Sequence, residues 1–517
     1  MQYPTIYQIT YTLVMQTVPV YHTEQIRQIE NHFFALEPKP QLMELAGKTI
    51  ADITVKVAPE QAQSILVIAG PGNNGGDAYV AARHLKSANF HVSLVEPIKP
   101  LQSSSEKEDA VKKWKAIGGV TKSTTKYEKS FDIVIDGLFG IGLNRTLPTE
   151  ISKYIQSINE QESTVISIDI PSGLNANTGA VMGSCVRADH TVTFLGYKVG
   201  LHTGQGPDCS GIIHFSDLNM GNHPPVDNHG YLIGNDVLRN VLVPRDKSSH
   251  KGTHGQLAVI GGSKGMIGAA LLTGRAGLRL GAGRVFIGLL DSDSRAPAAD
   301  WGQPELMFRD VTELVALEKI TCFAIGPGLG TNNSAYKVLG QVIAKPTPII
   351  LDADALNIVA QQPTLTEQIE KRINPTIMTP HPGEASRLLG ISIAEIQANR
   401  IQIALDLASK FNAEVVLKGV GSVCAFQDGN WFVNTSGNPG MASAGMGDAL
   451  TGIIGAFVSQ GAYTHTAMLA GVHLHGLAAD QLLHDDCGPI GMTASETIDR
   501  SRIVFNRFQN KNITSFI

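Results

Sequence analysis

Short apolar runs alternate with longer segments of helical spacing along most of the chain. SILVIAG (64–70), FDIVIDGLFG (131–140) and TVISIDIPSG (164–173) are rich in β-branched residues and finish in Gly, Asp or Ser, as strands running into turns do. Between them, AYVAARHLK (78–86) and AVKKWKAIG (110–118) repeat apolar residues at helical intervals. The same grammar restarts at GQLAVIGG (255–262), CFAIGPG (322–328), TPIILDAD (347–354), PTIMTPHPG (375–383) and EVVLKG (414–419). Helical patterns such as AALLTGRAGLRLGAG (269–283) and ASRLLG (385–390) separate these runs. Repeated β–α alternation predicts parallel sheets with helices on both faces. The segment 218–234, rich in Gly, Pro, Asn and His, reads as a linker between a domain at 15–225 and a second at 235–510. The expected architecture is α/β: two three-layer αβα domains, the first of them Rossmann-like.

Composition narrows the function. Of 517 residues, 53 are glycine, against roughly 7 % in an average chain, so the excess needs a local explanation. A formal net charge of −5 argues against a general nucleic-acid or anionic-membrane binder. Cys185, Cys209, Cys322, Cys424 and Cys487 form no CxxC and read as reduced, scattered core residues. The first twenty residues lack the basic start and continuous apolar stretch of a secretory signal, and no run of 18 apolar residues occurs. A cytoplasmic protein is expected, with Met15 as an alternative start.

The glycines gather at strand ends. The strand at 64–69 runs into Gly70-Pro71-Gly72-Asn73-Asn74-Gly75-Gly76-Asp77. In open α/β folds ligands bind beyond the carboxyl ends of the strands. A lone turn of this kind is most simply a tight turn with Asp77 as a helix cap. Two further strand ends add weight: Asp136 before Gly137-Leu138-Phe139-Gly140-Ile141-Gly142, and Asp169 before Ile170-Pro171-Ser172-Gly173. Asn74, Asp136 and Ser172 offer only hard oxygen ligands, which suits K⁺, Mg²⁺ or Ca²⁺ rather than zinc. Asp169 is a candidate acid–base.

In the second half, Lys251-Gly252 and GQLAVIGGSKGMIGAA (255–270) again give strand, glycine loop and helix, but not the GxxxxGK[ST] of a phosphate loop; the one echo of that motif, Gly47-Lys48-Thr49, has Leu42 where the first glycine belongs. LMELAGKTIADIT (42–54) reads instead as an amphipathic helix, and SSSEKED (103–109) as a solvated turn or helix start. Gly326-Pro327-Gly328-Leu329-Gly330 and Pro380-His381-Pro382-Gly383-Glu384 each follow a strand. His381, between two prolines, fits a structural role and a ligand contact equally. Lys418-Gly419-Val420-Gly421-Ser422 could hold a nucleotide phosphate or ribose. Asn438-Pro439-Gly440-Met441-Ala442-Ser443-Ala444-Gly445-Met446-Gly447-Asp448 opens the apolar helix expected at 449–460. Gly445 and Gly447 would aim backbone N–H groups at a phosphoryl group, and Asp448 is placed to take a proton from an attacking hydroxyl.

GxGD at a helix start resembles the ribokinase-like superfamily. The fuller set, HKGTHGQLAVIGGSKGMIGAALLTGRAGLRLGAG, AIGPGLG, ILDADALN, TPHPGEASRLLG, LKGVGS and NPGMASAGMGDALTGIIGA, is similar to the ADP-dependent NAD(P)H-hydrate dehydratases. PGNNGGDAYVAARHL, DGLFGIGL and DIPSGLNANTG resemble the YjeF-N type NAD(P)H-hydrate epimerases. In this order they look like the bifunctional NAD(P)H-hydrate repair family over roughly 20–505. The resemblance implies a ribokinase-like second domain, K⁺ on Asn74, Asp136 and Ser172, and Asp169 as substrate contact and acid–base. It further implies an epimerase pocket lined by Asn73, Asn74, Gly75, Gly76, Asp77, Gly140, Ile141, Gly142, Leu143, Asn144, Arg145 and Thr146. In the second domain Ala269, Gly330, His381 and Asp448 would contact the hydrate, with Asp448 catalytic, while Lys418, Gly419, Val420, Gly421, Ser422 and Gly447 would bind ADP with Mg²⁺. NADHX or NADPHX and ADP are the implied small-molecule partners, and a homo-oligomer is expected. Two departures stand out: Ala78 where the family has the last glycine of NNGGDG, and Ile141 where it has the hydroxyl residue of FGTG. The competing readings are a ribokinase-like small-molecule kinase with an appended nucleotide-binding domain, and a non-catalytic nucleotide-sensing scaffold.

Overall fold

The computed structural model describes residues 18–99, 102–124, 130–221, 226–242, 245–290 and 298–509, with the side chains of residues 486, 487 and 509 outside that description. Cys487 therefore lies outside the described side chains. The chain forms two compact units that divide between Gly230 and Tyr231.

The first unit holds a seven-stranded sheet. Its strands are β1 Ser64–Ala69, β2 His91–Val95, β3 Thr121–Lys122, β4 Ile133–Gly137, β5 Thr164–Ile168, β6 His190–Phe194 and β7 Ile212–Ser216. They pair in the order 3-2-1-4-5-6-7, parallel throughout. This is the doubly wound order whose winding reverses between β1 and β4. Side chains alternate between two cores. Ile65, Val67, Ile133, Ile135 and Ile166 pack on one face with Ile26, Ile29, Ile50 and Ala81, and Leu66, Ile68, Val134 and Val165 pack on the other with Tyr154, Ile155 and Ile158. Burial on both faces is why these strands read as unbroken apolar runs.

The second unit repeats the logic with β8 Gln256–Gly261, β9 Arg284–Leu289, β10 Met307–Phe308, β11 Cys322–Ile325, β12 Ile349–Leu351, β13 Thr376–Met378, β14 Glu414–Leu417, β15 Val423–Ala425 and β16 Trp431–Val433. The order is 10-9-8-11-12-13-14-15-16, parallel as far as β14 and antiparallel beyond. Here the winding reverses between β8 and β11. The helix Met446–Ser459, with Ile453, Ile454 and Phe457 fully buried, packs on this sheet.

Several local expectations are revised. The helix after β1 begins at Asn73 rather than near residue 78, so Asn73-Asn74-Gly75-Gly76-Asp77 is its first turn and not a preceding loop. Gly72, in extended backbone, occupies the N-cap position assigned to Asp77. Likewise Gly447 and Asp448 lie inside helix Met446–Ser459 rather than before it. Two expectations hold: 103–109 is a helix start, with Ser104 capping helix Ser105–Ala116, and the helix expected at 42–54 is present as Leu42–Val57. The segment read as a linker contains the short strand Gly230–Leu232. The cysteines are less scattered than their spacing suggests: Cys185 and Cys209 share one small apolar cluster.

The early helix start depends on a missing side chain. A Cβ on Gly75 would lie 1.9 Å from the Gly70 carbonyl oxygen, so the first helical turn can fold back on the end of β1 only with glycine there. Gly75→Ala is expected to destabilise the first unit by about 2 kcal/mol, read as a lower urea midpoint; an unchanged midpoint would show that the turn yields without penalty.

Two candidate active sites at the sheet switch points

In the first unit, the crevice at the carboxyl ends of β1, β4 and β5 is a cavity of about 930 Å³. Asn73, Asn74, Asp77, Gly140, Ile141, Gly142, Leu143, Asn144, Arg145 and Asp169 line it, together with Arg27, Glu30 and Lys198, which the motifs did not suggest. Gly75, Gly76 and Thr146 are not among the lining residues; Gly75 packs on Gly70, and a Cβ on Gly76 would meet the Met43 thioether.

Asp136 is fully buried at the end of β4. Four donors satisfy it: Ser172 Oγ at 2.6 Å, Ser172 N–H at 2.8 Å, Ser167 Oγ at 2.9 Å and Leu138 N–H at 3.2 Å. Burial pushes its carboxyl above the ordinary range, while the hydrogen bonds from Ser172 and Ser167 pull the other way. The Asn74 amide donates to the Phe139 carbonyl at 3.0 Å, and the Phe139 N–H donates to Ser172 Oγ at 2.8 Å. Asn74, Asp136, Ser172 and one main-chain carbonyl thus form a single oxygen-rich cluster beside the cavity.

Asp169 follows β5 with φ of +64°, in the left-handed region that non-glycine residues rarely occupy. Such strain clusters at functional positions, where the surroundings hold it in place. Here the surroundings are the Lys198 ammonium, the Thr193 hydroxyl at 3.3 Å and the Phe194 N–H at 3.2 Å, all donating to the same carboxylate oxygen. Lys198 is 1 % exposed and also donates to the Phe194 carbonyl at 2.7 Å and Thr193 Oγ1 at 3.0 Å. Burial, reinforced by Asp169 and Glu30, pushes the Asp77 carboxyl well above the usual carboxylate range. Glu30 is raised for the same first reason, burial, with Asp169 adding to it. The cavity therefore joins one lysine-paired carboxylate, Asp169, to two carboxyls, Asp77 and Glu30, that burial makes more basic than in water.

In the second unit, Gly445 caps helix Met446–Ser459 with φ of +88°, a backbone suited to glycine. Asp448 sits in the first turn, and burial, reinforced by Asp352, pushes it up to about 6 against the pull of Lys418. Lys418, at the end of β14, donates to Asp352 Oδ1 at 2.7 Å, and the Thr451 hydroxyl holds Asp352 Oδ2 at 2.9 Å. Gly447 lies so close that a Cβ there would be 3.2 Å from the Lys418 ammonium. The Thr273 hydroxyl donates at 3.0 Å to the carbonyls of both Ala269 and Asp448, bringing the start of helix Ile267–Arg279 to the same place. The Gly330 N–H donates to Asp354 at 2.8 Å.

His381 answers the ambiguity of its sequence setting in part. Its Nδ1 accepts from the Gly383 N–H at 2.9 Å and its own N–H donates to Glu384 at 2.7 Å, so it caps helix Pro382–Leu389. The ring is half exposed, and burial followed by Lys418 and Arg387 lowers its basicity, favouring the neutral form. Glu384, pushed up to about 7 by burial, lies 4.0 Å from Lys418 and links His381 to the site. Gly419, Gly421 and Ser422 form a turn in which the Ser422 hydroxyl donates to the Gly419 carbonyl at 2.9 Å. The Val420 side chain is exposed on that turn.

Residues 257–502 match the family model described as NAD(P)H-hydrate dehydratase, and residues 39–200 match that of the YjeF-related protein N-terminus. The bifunctional NAD(P)H-hydrate repair enzyme Nnr of Escherichia coli K12 is 39 % identical over 488 residues, which cover 91 % of each chain. The chain belongs to the bifunctional NAD(P)H-hydrate repair enzymes. A Leishmania major member is 33 % identical over 503 residues, covering 90 % of this chain and 89 % of its own. The solved ADP/ATP-dependent NAD(P)H-hydrate dehydratase of Bacillus subtilis, co-crystallised with ATP and Mg²⁺, is 32 % identical and covers 54 % of this chain and 98 % of its own, with a TM-score of 0.46.

The two departures from the family pattern have different surroundings. Ala78 is fully buried and does not line the cavity; its methyl faces Gly137 on β4. Ile141 does line it, packed against the first unit's core. Among the described residues no helix is long and apolar enough to cross a membrane.

The Asp448 environment sets a pH dependence. If Asp448 is the general base that its motif implies, it must be ionised to act, and dehydration kcat/KM should fall about tenfold per pH unit below about 6. Because Lys418 favours the ionised form, Lys418→Met should move that acid limb to higher pH. A flat profile between pH 5 and 7, or a limb that Lys418→Met leaves in place, contradicts the assignment.

Proposed function

We propose that the first unit interconverts the R and S epimers of hydrated NADH or NADPH, and that the second dehydrates the S epimer at the expense of ADP. The observation that carries this reading is common to both units: beyond the carboxyl ends of the strands, among glycine-rich turns, a carboxylate stands under the influence of a lysine, Asp169 paired with Lys198 and Asp448 acted on by Lys418.

The hydrate carries a hydroxyl at C6 of the reduced nicotinamide ring. That carbon is a hemiaminal, so ring nitrogen can expel the hydroxyl and water can return on either face. Asp169, steadied by Lys198, exchanges the proton that accompanies this departure and return, and Asp77 in its protonated form is a nearby donor. Asn74, Asp136 and Ser172 would hold K⁺; the all-oxygen cluster around a buried carboxylate fits a hard monovalent cation. When bound, K⁺ supplies positive charge that balances Asp136 and attracts the phosphate end of the substrate.

In the second unit Asp448 takes the proton of the C6 hydroxyl as that oxygen attacks the β-phosphoryl of ADP, releasing AMP. Backbone N–H groups at Gly445 and Gly447 face the transferring group. The ring nitrogen then expels phosphate, loss of the C5 proton restores the C5–C6 double bond, and NAD(P)H and phosphate leave. Among the described residues no three His, Cys, Asp or Glu side chains gather to hold a metal ion, and Asp352 is committed to Lys418 and Thr451. Mg²⁺ is therefore assigned to the nucleotide, on whose phosphates it screens charge. Cys185, Cys209, Cys322 and Cys424, buried as free thiols, fit a reducing compartment such as the cytoplasm.

Purified protein given mixed R and S NADHX with ADP should restore the NADH absorbance of the whole pool. Asp169→Ala should stop after the S fraction, apart from slow spontaneous epimerisation, and Asp448→Asn should abolish recovery. Consumption of ATP with a small alcohol, and none of the hydrate, would overturn the proposal in favour of a small-molecule kinase.

A further inference from the structure

Arg400, the first residue of helix Arg400–Phe411, is 2 % exposed. Guanidinium keeps its charge at any physiological pH, and a buried charge is ordinarily paired with an opposite one. The hydrogen-bond partners of Arg400 are all neutral: Gln397 Oε1 at 3.0 Å, the Leu417 carbonyl at 3.0 Å and the Lys418 carbonyl at 3.2 Å. Its Nε has no partner among the described residues.

The two carbonyls place this cation under one particular piece of chain. Leu417 ends β14, and Lys418 begins the turn 418–422 read above as the nucleotide-binding loop. Gly419 crosses the guanidinium with φ of +140°, and a Cβ there would lie 3.1 Å from both terminal nitrogens. The planar group therefore lies directly against the main chain at Gly419. By holding the carbonyls of the two peptides that flank Lys418, it fixes the direction in which Lys418 leaves the strand towards Asp352 and Gly447.

We infer that Arg400 is the positioning residue of the nucleotide site: it sets the turn 418–422 from below, and its unpaired charge is answered by the diphosphate of the nucleoside diphosphate bound on that turn. This inference rests on the reading of 418–422 as the nucleotide loop. It explains a buried cation held only by neutral oxygens, and it explains why the backbone above that cation is glycine.

The test compares wild type, Arg400→Lys and Arg400→Met as full-length proteins, with KM measured separately for ADP and for S-NADHX. Arg400→Met should raise the ADP KM at least tenfold and leave the S-NADHX KM within twofold. Arg400→Lys, which keeps the charge but not the planar fork, should fall between. The dependence of the ADP KM on salt should flatten in Arg400→Met and persist in Arg400→Lys. Equal increases in both KM values, or an ADP KM within twofold of wild type, overturn the inference in favour of a purely structural arginine. If Arg400→Met does not fold, Arg400→Lys decides alone: a selective rise in the ADP KM supports the inference and an unchanged one refutes it. Absence of an ADP-induced thermal shift in wild type would instead refute the nucleotide-loop reading on which the inference stands.

Discussion

A parallel sheet whose winding reverses leaves one gap that its own helices cannot cover, and both units of this enzyme are organised around that gap. Between β1 and β4, and again between β8 and β11, the connections leave in opposite directions. The polar ends of the strands there must be satisfied by turns, side chains or ligand. Asp136 shows how demanding the position is. A fully buried carboxylate at the lip of the crevice requires four donors from Ser172, Ser167 and Leu138, and those donors fix the loop that carries the rest of the site.

Burial then does the chemical tuning. In water Asp77, Glu384 and Asp448 would be ionised well below neutrality; in these crevices burial raises all three, Glu384 to about 7 and Asp448 to about 6. The lysines set the other limit. Lys198 locks one oxygen of Asp169 while the backbone holds that residue at positive φ, whereas Lys418 binds Asp352 and acts on Asp448 only through space. In the proposed mechanism the first site is thus a rigidly held acid–base, while in the second Asp448, with no side-chain hydrogen bond among the described residues, is left for an incoming hydroxyl.

The fold was legible because strands covered on both faces leave unbroken apolar runs such as SILVIA and QLAVIG. The carboxyl-edge residues were legible because glycine, Asn and Asp gather where those runs stop. What escaped the sequence came from elsewhere in the chain. Lys198 stands in GYKVG with no motif around it, Glu30 and Arg27 lie on an N-terminal helix, and Arg400 reaches β14 from a helix start. Asp352 was within sight in ILDADALN, but only the ammonium of Lys418, 2.7 Å away, gives it a role. Helix starts were misplaced by several residues because glycine-rich turns read as loops, while here they are first helical turns pressed against strand ends.

The central claim is that two complete sites, each contained in its own unit, act in series on one pool of hydrate. Mixing separately purified Asp169→Ala and Asp448→Asn proteins tests it most directly. With ADP and mixed epimers, the account predicts that the mixture converts the whole pool to NADH, because each protein retains the site the other lacks. Recovery that stops at the S fraction, as with Asp169→Ala alone, would contradict it.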